Sequence, residues 1–553
     1  MGTSNTHPYI PEAQELLRQG RISRREFLRM ATLLGASYSA ARVLAACAPA
    51  QPTAPAPTAP AVGAIKRGGT LRSAMSIAKL EHPARYSWIF DANVTRHVNE
   101  YLTETDLENI THPFLLEKWE PSEDLKTWTL TLKQGIKFNN GDALTTDHVL
   151  FTMNEWLNPD VTSSILGLMS YLQPTNIEKV DERVIRLHLD SPQIAVPEHL
   201  FHYPAQILHQ SFEGDISKNP IGTGPYTLAE YAEGERAILN RRTDYWQNGA
   251  DGQSLPYLDA INYIGLGEDQ TAAIAAIQSG QIDHIYAAHA TTFQALKANP
   301  AVKLISVPTA QVRVIRMRVD LDPWKDNKVR QAFKAILNRE KIVQAAYFGE
   351  AAVGQDVHVA QIHPEYAQIN TPAYEPEKAK SLLAEAGFPD GLDIELTSSD
   401  EWTDVGAMSE IIKEDAAPGG FRVTINNVPQ TSYWEQWTEV NLGITPWTHR
   451  PLGTMVLSLA YIADAEGKPV PWNESRWVDE EFSTVLREAE GTLDVEARRA
   501  LMAKLEAIQG DRGSVGITYW QNIWDITVPK FQNIKGHPTD YDLWNEVWFD
   551  PEA

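Results

Sequence analysis

Between Asn219 and Tyr226 the chain reads Asn-Pro-Ile-Gly-Thr-Gly-Pro-Tyr, two glycines interleaved with two prolines. Proline holds φ near −65° and glycine is free of the Cβ restriction, so few backbone paths satisfy this stretch. Tyr226, Leu228 and Tyr231 open a partly alternating run, and Ala237, Ile238 and Leu239 supply a second short strand. Asn240-Arg241-Arg242-Thr243-Asp244-Tyr245-Trp246 closes the unit. The reading is a turn feeding a β-corner. It is not a dinucleotide loop, because Pro225 and Thr227 stand where that pattern needs a helix start and a third glycine.

Three other segments carry comparable detail. Trp119-Glu120-Pro121 leads through Lys133-Gln134-Gly135-Ile136-Lys137-Phe138-Asn139-Asn140-Gly141-Asp142 to a helix from Thr145. Asp326-Asn327-Lys328-Val329-Arg330-Gln331-Ala332-Phe333 is followed by Asn338-Arg339-Glu340-Lys341-Ile342-Val343. Tyr374-Glu375-Pro376-Glu377-Lys378-Ala379-Lys380 runs on to Ala386-Gly387-Phe388. Helices are expected near 269–278, with Gly280 as its stop, and near 327–337, 339–347, 376–386, 479–489 and 494–508, with Pro376 in a first turn and Gly387 just past an end. Strands are expected at 69–73, 127–132, 183–189, 314–319, 393–398, 421–428 and 517–528. Strands alternating with helices argue for an α/β protein, and 553 residues are too many for one core.

Taken in order with the GTGPY stretch, these segments closely resemble the extracytoplasmic solute-binding proteins of peptide/opine/nickel-type ABC transporters, over roughly residues 66–550. The resemblance implies a two-lobed periplasmic-binding-protein fold of the large, peptide-binding type II. Lobe I would span 66–312 with an extra subdomain inserted at about 91–218, and lobe II 313–514. Residues 515–553 would return to lobe I. It further implies a monomeric receptor that closes on a solute by hinge motion and docks on ABC permease subunits, without enzymatic activity.

The first 47 residues read differently. Residues 1–20 are polar with a short amphipathic patch and are expected to be disordered or cytoplasmic. Ser23-Arg24-Arg25-Glu26-Phe27-Leu28-Arg29 precedes a small, apolar run from Ala31 to Ala46. Arg24 and Arg25 resemble a twin-arginine export signal, and Leu44-Ala45-Ala46-Cys47 resembles a lipobox with Cys47 lipidated. Prolines 49, 52, 55, 57 and 60 make 48–65 an extended stalk. An extracytoplasmic protein is expected, in the periplasm or at the cell surface, held to the membrane by the lipid alone.

Charge narrows the partners. Net charge is −24, and beyond residue 47 there are 42 basic against 69 acidic residues. Such a surface repels nucleic acid and anionic head groups. One cysteine excludes internal disulfides and Cys-rich metal sites. His199 with His202 and His358 with His363 lack a third ligand in their patterns, so no cofactor is expected. The family resemblance leaves a nickel-type metal chelate as an alternative ligand. An exported enzyme is the other alternative, but no P-loop, dinucleotide fingerprint or GxSxG elbow is present.

The solute question turns on Ile444-Thr445-Pro446-Trp447-Thr448-His449-Arg450-Pro451. In peptide-binding relatives an acidic residue after the tryptophan pairs with the peptide amino terminus. Here His449 and Arg450 occupy that neighbourhood, which leaves two readings of Arg450: a fork onto a carboxylate or phosphate of the solute, or a salt bridge at the lobe edge. Trp434, Trp437, Trp447 and Trp472 are the candidate aromatic walls.

Overall fold

The computed structural model describes residues 7–45, 65–267, 270–464 and 467–553. Cys47 and nearly all of the stalk lie outside them. The chain forms two compact units: residues 1–288, 295–305 and 524–553 make the first, and 289–294 and 306–523 the second. The sequence reading places the changes of lobe at 312/313 and 514/515. Between the two units the chain passes at 288/289, 294/295, 305/306 and 523/524, the last two inside the long strands Lys303–Met317 and Val515–Thr527.

In the first unit Thr70–Ala74 runs parallel to Ala260–Ile264 and to His284–Ile285. Arg236–Arg241 and Tyr226–Ala232 extend this sheet as an antiparallel pair. A separate four-stranded sheet is built from Leu116–Pro121, Thr127–Leu132, Val184–His188 and Ile177–Lys179. The strict alternation of Thr127–Leu132 is its cause: Trp128, Leu130 and Leu132 are buried and the threonines between them half-exposed. Trp119, Trp128 and Trp156 fill the core beneath.

The glycines at 222 and 224 serve close approach. A Cβ on Gly222 would lie 1.9 Å from the Val98 carbonyl oxygen, and one on Gly224 2.4 Å from that of His97. The Gly224 and Tyr226 amides donate to Val98 O (2.8 Å) and His97 O (3.0 Å). The buried Arg242 guanidinium donates to the Gly222 and Gly224 carbonyls at 3.3 and 3.1 Å. The corner is thus pinned to the segment 97–99 from two sides.

The N-terminus departs from expectation. Instead of disorder, Ile10–Arg18, Arg24–Leu33 and Tyr38–Ala45 are helices. The amphipathic patch was long enough for a turn-spaced apolar face, and Ile10, Ala13, Leu16 and Leu17 are buried. Ser23 and Glu26 form a capping box at the start of the second helix. The Trp119 indole donates to Leu33 O at 2.9 Å, and Arg29 pairs with the buried Glu198 at 3.0 Å. Arg24 and Arg25 remain exposed. Among the described residues no helix is long and apolar enough to cross a membrane.

The first unit also buries acids. Burial pushes Asp91, Glu100, Glu104 and Asp525 each up to about 7. Burial likewise holds His97, His199 and His284 down to about 3. Such acids bind more protons folded than unfolded, so the stability they contribute is lost as pH rises from about 4 through 7. The histidines act in the opposite sense, but only below their unfolded value of about 6.5. Above pH 6.5 the acids outnumber the one opposing group, Lys334, which burial lowers to about 8. The urea midpoint is therefore expected to fall between pH 6.5 and 8; a rise over that interval would show that these carboxyls ionise freely in the folded protein.

The second unit has Leu392–Ser398 parallel to Phe421–Asn427, and Leu442–Trp447 antiparallel to Lys303–Met317 with Val312 opposite Trp447. Ala351–Val353 pairs with Val515–Thr527. Its helices begin where their caps predict: Asp326, Asn338, Asp479 and Asp494 each accept an amide of the first turn. Gly387, just past Pro376–Glu385, takes φ +93°.

Candidate ligand-binding site

The second unit contains all six residues singled out for solute contact. Two buried carboxylates stand in the same unit, and one of them, Glu474, is bonded to Trp447. Glu474 is 3% exposed and accepts from Arg316 Nε (3.1 Å), Thr445 Oγ1 (2.5 Å) and the Trp447 indole (2.8 Å). Arg316, with no exposed surface, also donates to the carbonyls of Val440 and Trp437. One ion pair therefore anchors Trp447 by its indole and Trp437 by its backbone. Burial raises the Glu474 carboxyl, with Arg316 opposing.

Asp404 is the second node. Its Oδ2 accepts from Arg313 Nε (2.8 Å), Tyr519 OH (2.7 Å) and Gln521 Nε2 (3.0 Å), while Oδ1 accepts from Arg313 Nη2 at 3.2 Å. Burial pushes this carboxyl up, but Arg313 and the hydrogen bonds prevail and it is lowered overall. The bidentate fork fixes the plane of the Arg313 guanidinium. Its Nη1 makes no hydrogen bond to the described residues, and the residue stays partly exposed.

The aromatic side chains fall into two groups. Trp402, Trp434 and Trp437 form a half-buried row with centroid spacings of 5.7 Å at each step. Tyr433, fully buried, lies 5.5 Å from the Trp402 ring and hydrogen-bonds Thr445 at 2.8 Å. Trp447 meets Trp472 edge-on at 5.8 Å and His358 at 5.3 Å. Trp447 is buried, Trp472 only partly so.

His449 and Arg450 lie deeper than a solute contact at the surface would. The His449 Nδ1 accepts the Ala310 amide at 3.0 Å. Arg450, 3% exposed, donates from Nη1 to the Thr448 hydroxyl and to His449 O (3.1 Å), and its own carbonyl lies 3.0 Å from His363 Nε2. The histidine pairs do not assemble ligands: His199 Nδ1 bonds Tyr171 OH at 2.8 Å and His358 Nδ1 bonds Tyr461 OH at 2.7 Å. Among the described residues no three His, Cys, Asp or Glu side chains are grouped to hold a metal ion.

Arg313, Asp404, Glu474, Trp402 and Tyr519 escaped the sequence reading. One signal was available: Arg313, Arg316 and Arg318 punctuate an otherwise apolar strand, and cations placed there require buried partners. Arg318 is answered locally by Asp320 at 2.8 Å, but the carboxylates for Arg313 and Arg316, Asp404 and Glu474, lie 91 and 158 residues away.

The model of the bacterial extracellular solute-binding proteins, family 5 Middle, matches residues 111–463. The chain belongs to this family. Among curated relatives, the family-5 chain is 30% identical over 316 residues to the glutathione-binding protein GsiB of Salmonella typhi. That match covers 56% of this chain and 60% of the relative's own length. Two solved structures share the fold. AgaA of A. tumefaciens R10 in complex with agropinic acid has TM-score 0.77 and 19% identity, covering 87% of this chain and 99% of that one. DppA of Helicobacter pylori with the peptide STSA has TM-score 0.77 and 20% identity, covering 88% and 99%.

Proposed function

We propose that this family-5 protein is the solute-binding receptor of an ABC importer, taking a small peptide-like or other polar solute and delivering it to the permease. The family match carries the receptor role. The second unit supplies the chemistry: indole faces at Trp402, Trp434, Trp437 and Trp472 for apolar or planar groups, and the Arg313 fork for an anionic one. Trp447 backs the Trp472 ring, and His449 and Arg450 are retained as candidate contacts, Arg450 for an anion. The test is thermal denaturation with glutathione, short peptides, an opine and nickel–histidine, each added separately. A true solute at 100 times its Kd stabilises by about 2.7 kcal/mol. Product formation from that solute would overturn the receptor reading in favour of an exported enzyme. With the solute in hand, Arg450→Ala is expected to weaken binding more than about tenfold if the guanidinium meets it. A change under about threefold, below roughly 0.7 kcal/mol, would make Arg450 a purely structural residue.

The same reading places the protein outside the cytoplasm on a Cys47 lipid anchor, exported by the Arg24-Arg25 signal. Cys47→Ser is expected to move the protein from the membrane to the soluble fraction with solute affinity unchanged. Equal membrane retention of both forms would remove the lipid anchor. Arg24→Lys combined with Arg25→Lys is expected to block export; unaltered export would point to another route.

A further inference from the structure

The N-terminal helices are fastened to the body of the first unit at several points. Arg29, 5% exposed, donates from Nη2 to the Glu198 carboxylate at 3.0 Å, and Glu198 is itself 2% exposed. The Trp119 indole donates to Leu33 O at 2.9 Å, and Arg25 Nε donates to Glu108 O at 2.6 Å. Tyr38 meets the His112 ring edge-on at 4.7 Å. Gly35, at φ +87°, passes so near the Trp119 carbonyl oxygen that a Cβ there would lie 2.7 Å from it. The segment therefore has a specific seat, built from 108–119 and from Glu198.

Ala31, Thr32, Leu33 and Leu34 are buried in that seat, whereas Arg24 and Arg25 stay exposed. Residues 31–34 open the apolar run that an export signal has to hand over to lipid or to a receptor. The backbone and side chains engaged by the first unit cannot be handed over at the same time. Docked and released forms exclude each other, so whatever weakens one populates the other. A guanidinium and a carboxylate buried together make the docked form hard to leave, because disturbing either strands the other without its counter-charge. The arginine pair is thus readable from solvent while the apolar run behind it is withheld.

We propose that residues 10–45 are a latch on the first unit that withholds the apolar run, and that opening at Arg29–Glu198 and Gly35–Trp119 sets the rate of export. The rate clause rests on the Arg24-Arg25 export reading; the docking does not. All the contacts lie within the first unit and involve no solute candidate, so the latch is independent of the solute.

Hydrogen exchange of the uncleaved full chain, read on peptides covering 24–34, measures opening directly. In the wild type these amides are expected to exchange at least about a hundredfold slower than in a free peptide of that sequence. Glu198→Gln removes the charge from the body and leaves the signal sequence untouched. Gly35→Ala obstructs docking from the segment and leaves the body untouched, so it stays informative should Glu198→Gln not fold. Each is expected to speed exchange at 24–34 at least about tenfold, while Thr127–Leu132 keeps its wild-type protection. In a pulse-chase each variant is expected to leave the cytoplasmic fraction at least about threefold sooner than the wild type. Free-peptide exchange in the wild type, or unchanged exchange in Gly35→Ala or in folded Glu198→Gln, overturns the latch. Arg24→Lys with Arg25→Lys separates the two readings. Normal export of that double variant removes the export reading, and the gate falls with it. If the double variant is blocked while the opened variants leave at the wild-type rate, the latch alone is overturned.

Discussion

Glu474→Ala is expected to lower folding stability by about 3–5 kcal/mol, the usual effect of breaking a buried ion pair from one side. The reason is what remains behind. Arg316 has no exposed surface and would keep its charge with only the carbonyls of Val440 and Trp437 to receive it. Thr445 and the Trp447 indole would lose their acceptor as well. Glu474→Gln is the informative companion. The amide oxygen can still accept from one or two of these donors, so a smaller loss is expected, with the difference measuring the charge. Because Arg316 also holds the Trp437 backbone, the alanine variant should weaken solute binding beyond its effect on stability. Urea unfolding of the three proteins, followed by tryptophan fluorescence, reads the first effect. A loss below about 1 kcal/mol for Glu474→Ala, the size of an exposed pair, would mean that the second unit does not depend on this node.

Gly222→Ala is expected to be comparably damaging, by about 3 kcal/mol or more, at the upper end of overpacking effects. A methyl group 1.9 Å from the Val98 carbonyl oxygen and 3.0 Å from the Asn99 amide nitrogen runs into the Val98–Asn99 peptide group. No side-chain rotation relieves that clash. Separating the two segments would stretch the bonds from Gly224 N to Val98 O and from Asn139 N to Gly222 O. It would also draw the Arg242 guanidinium from its carbonyl acceptors. Gly167→Ala is the control: its φ is not in the left-handed region and nothing lies within 4 Å of the added Cβ. That change is expected to stay within about 0.5 kcal/mol, as surface substitutions do. Similar unfolding midpoints for the two variants would contradict the close-approach account of the corner.

Much of the molecule was legible in the chain because its causes are local. Thr127–Leu132 alternates and is a strand with that burial pattern; Pro376 and Gly387 bracket a helix that begins and ends beside them. Four segments in order were enough to reach the family. The constraint on Gly222 and Gly224 was also visible, but its reason was not. The composition suggested a turn, whereas the deciding contact is with backbone more than a hundred residues earlier. The N-terminal helices were missed because their stability comes from Trp119 and Glu198, distant residues that give the short amphipathic stretch something to bury against.

The candidate site divides in the same way. Tryptophans at 434, 437, 447 and 472 could be named from residue type, since large indoles in a solute-binding chain are natural walls. Their partition into a half-buried row and an edge-on pair of one buried and one partly buried ring is tertiary. His449 and Arg450 could be named by position, while their burial and their bonds to Ala310 and to their own neighbours are set by packing. Sequence alone determined the periodicities, the caps and the charge balance, which are set by residues within a turn or two of one another. Only the tertiary structure decided which carboxylate answers which arginine, because an ion pair is a property of three-dimensional distance and its partners here are 91 and 158 residues apart.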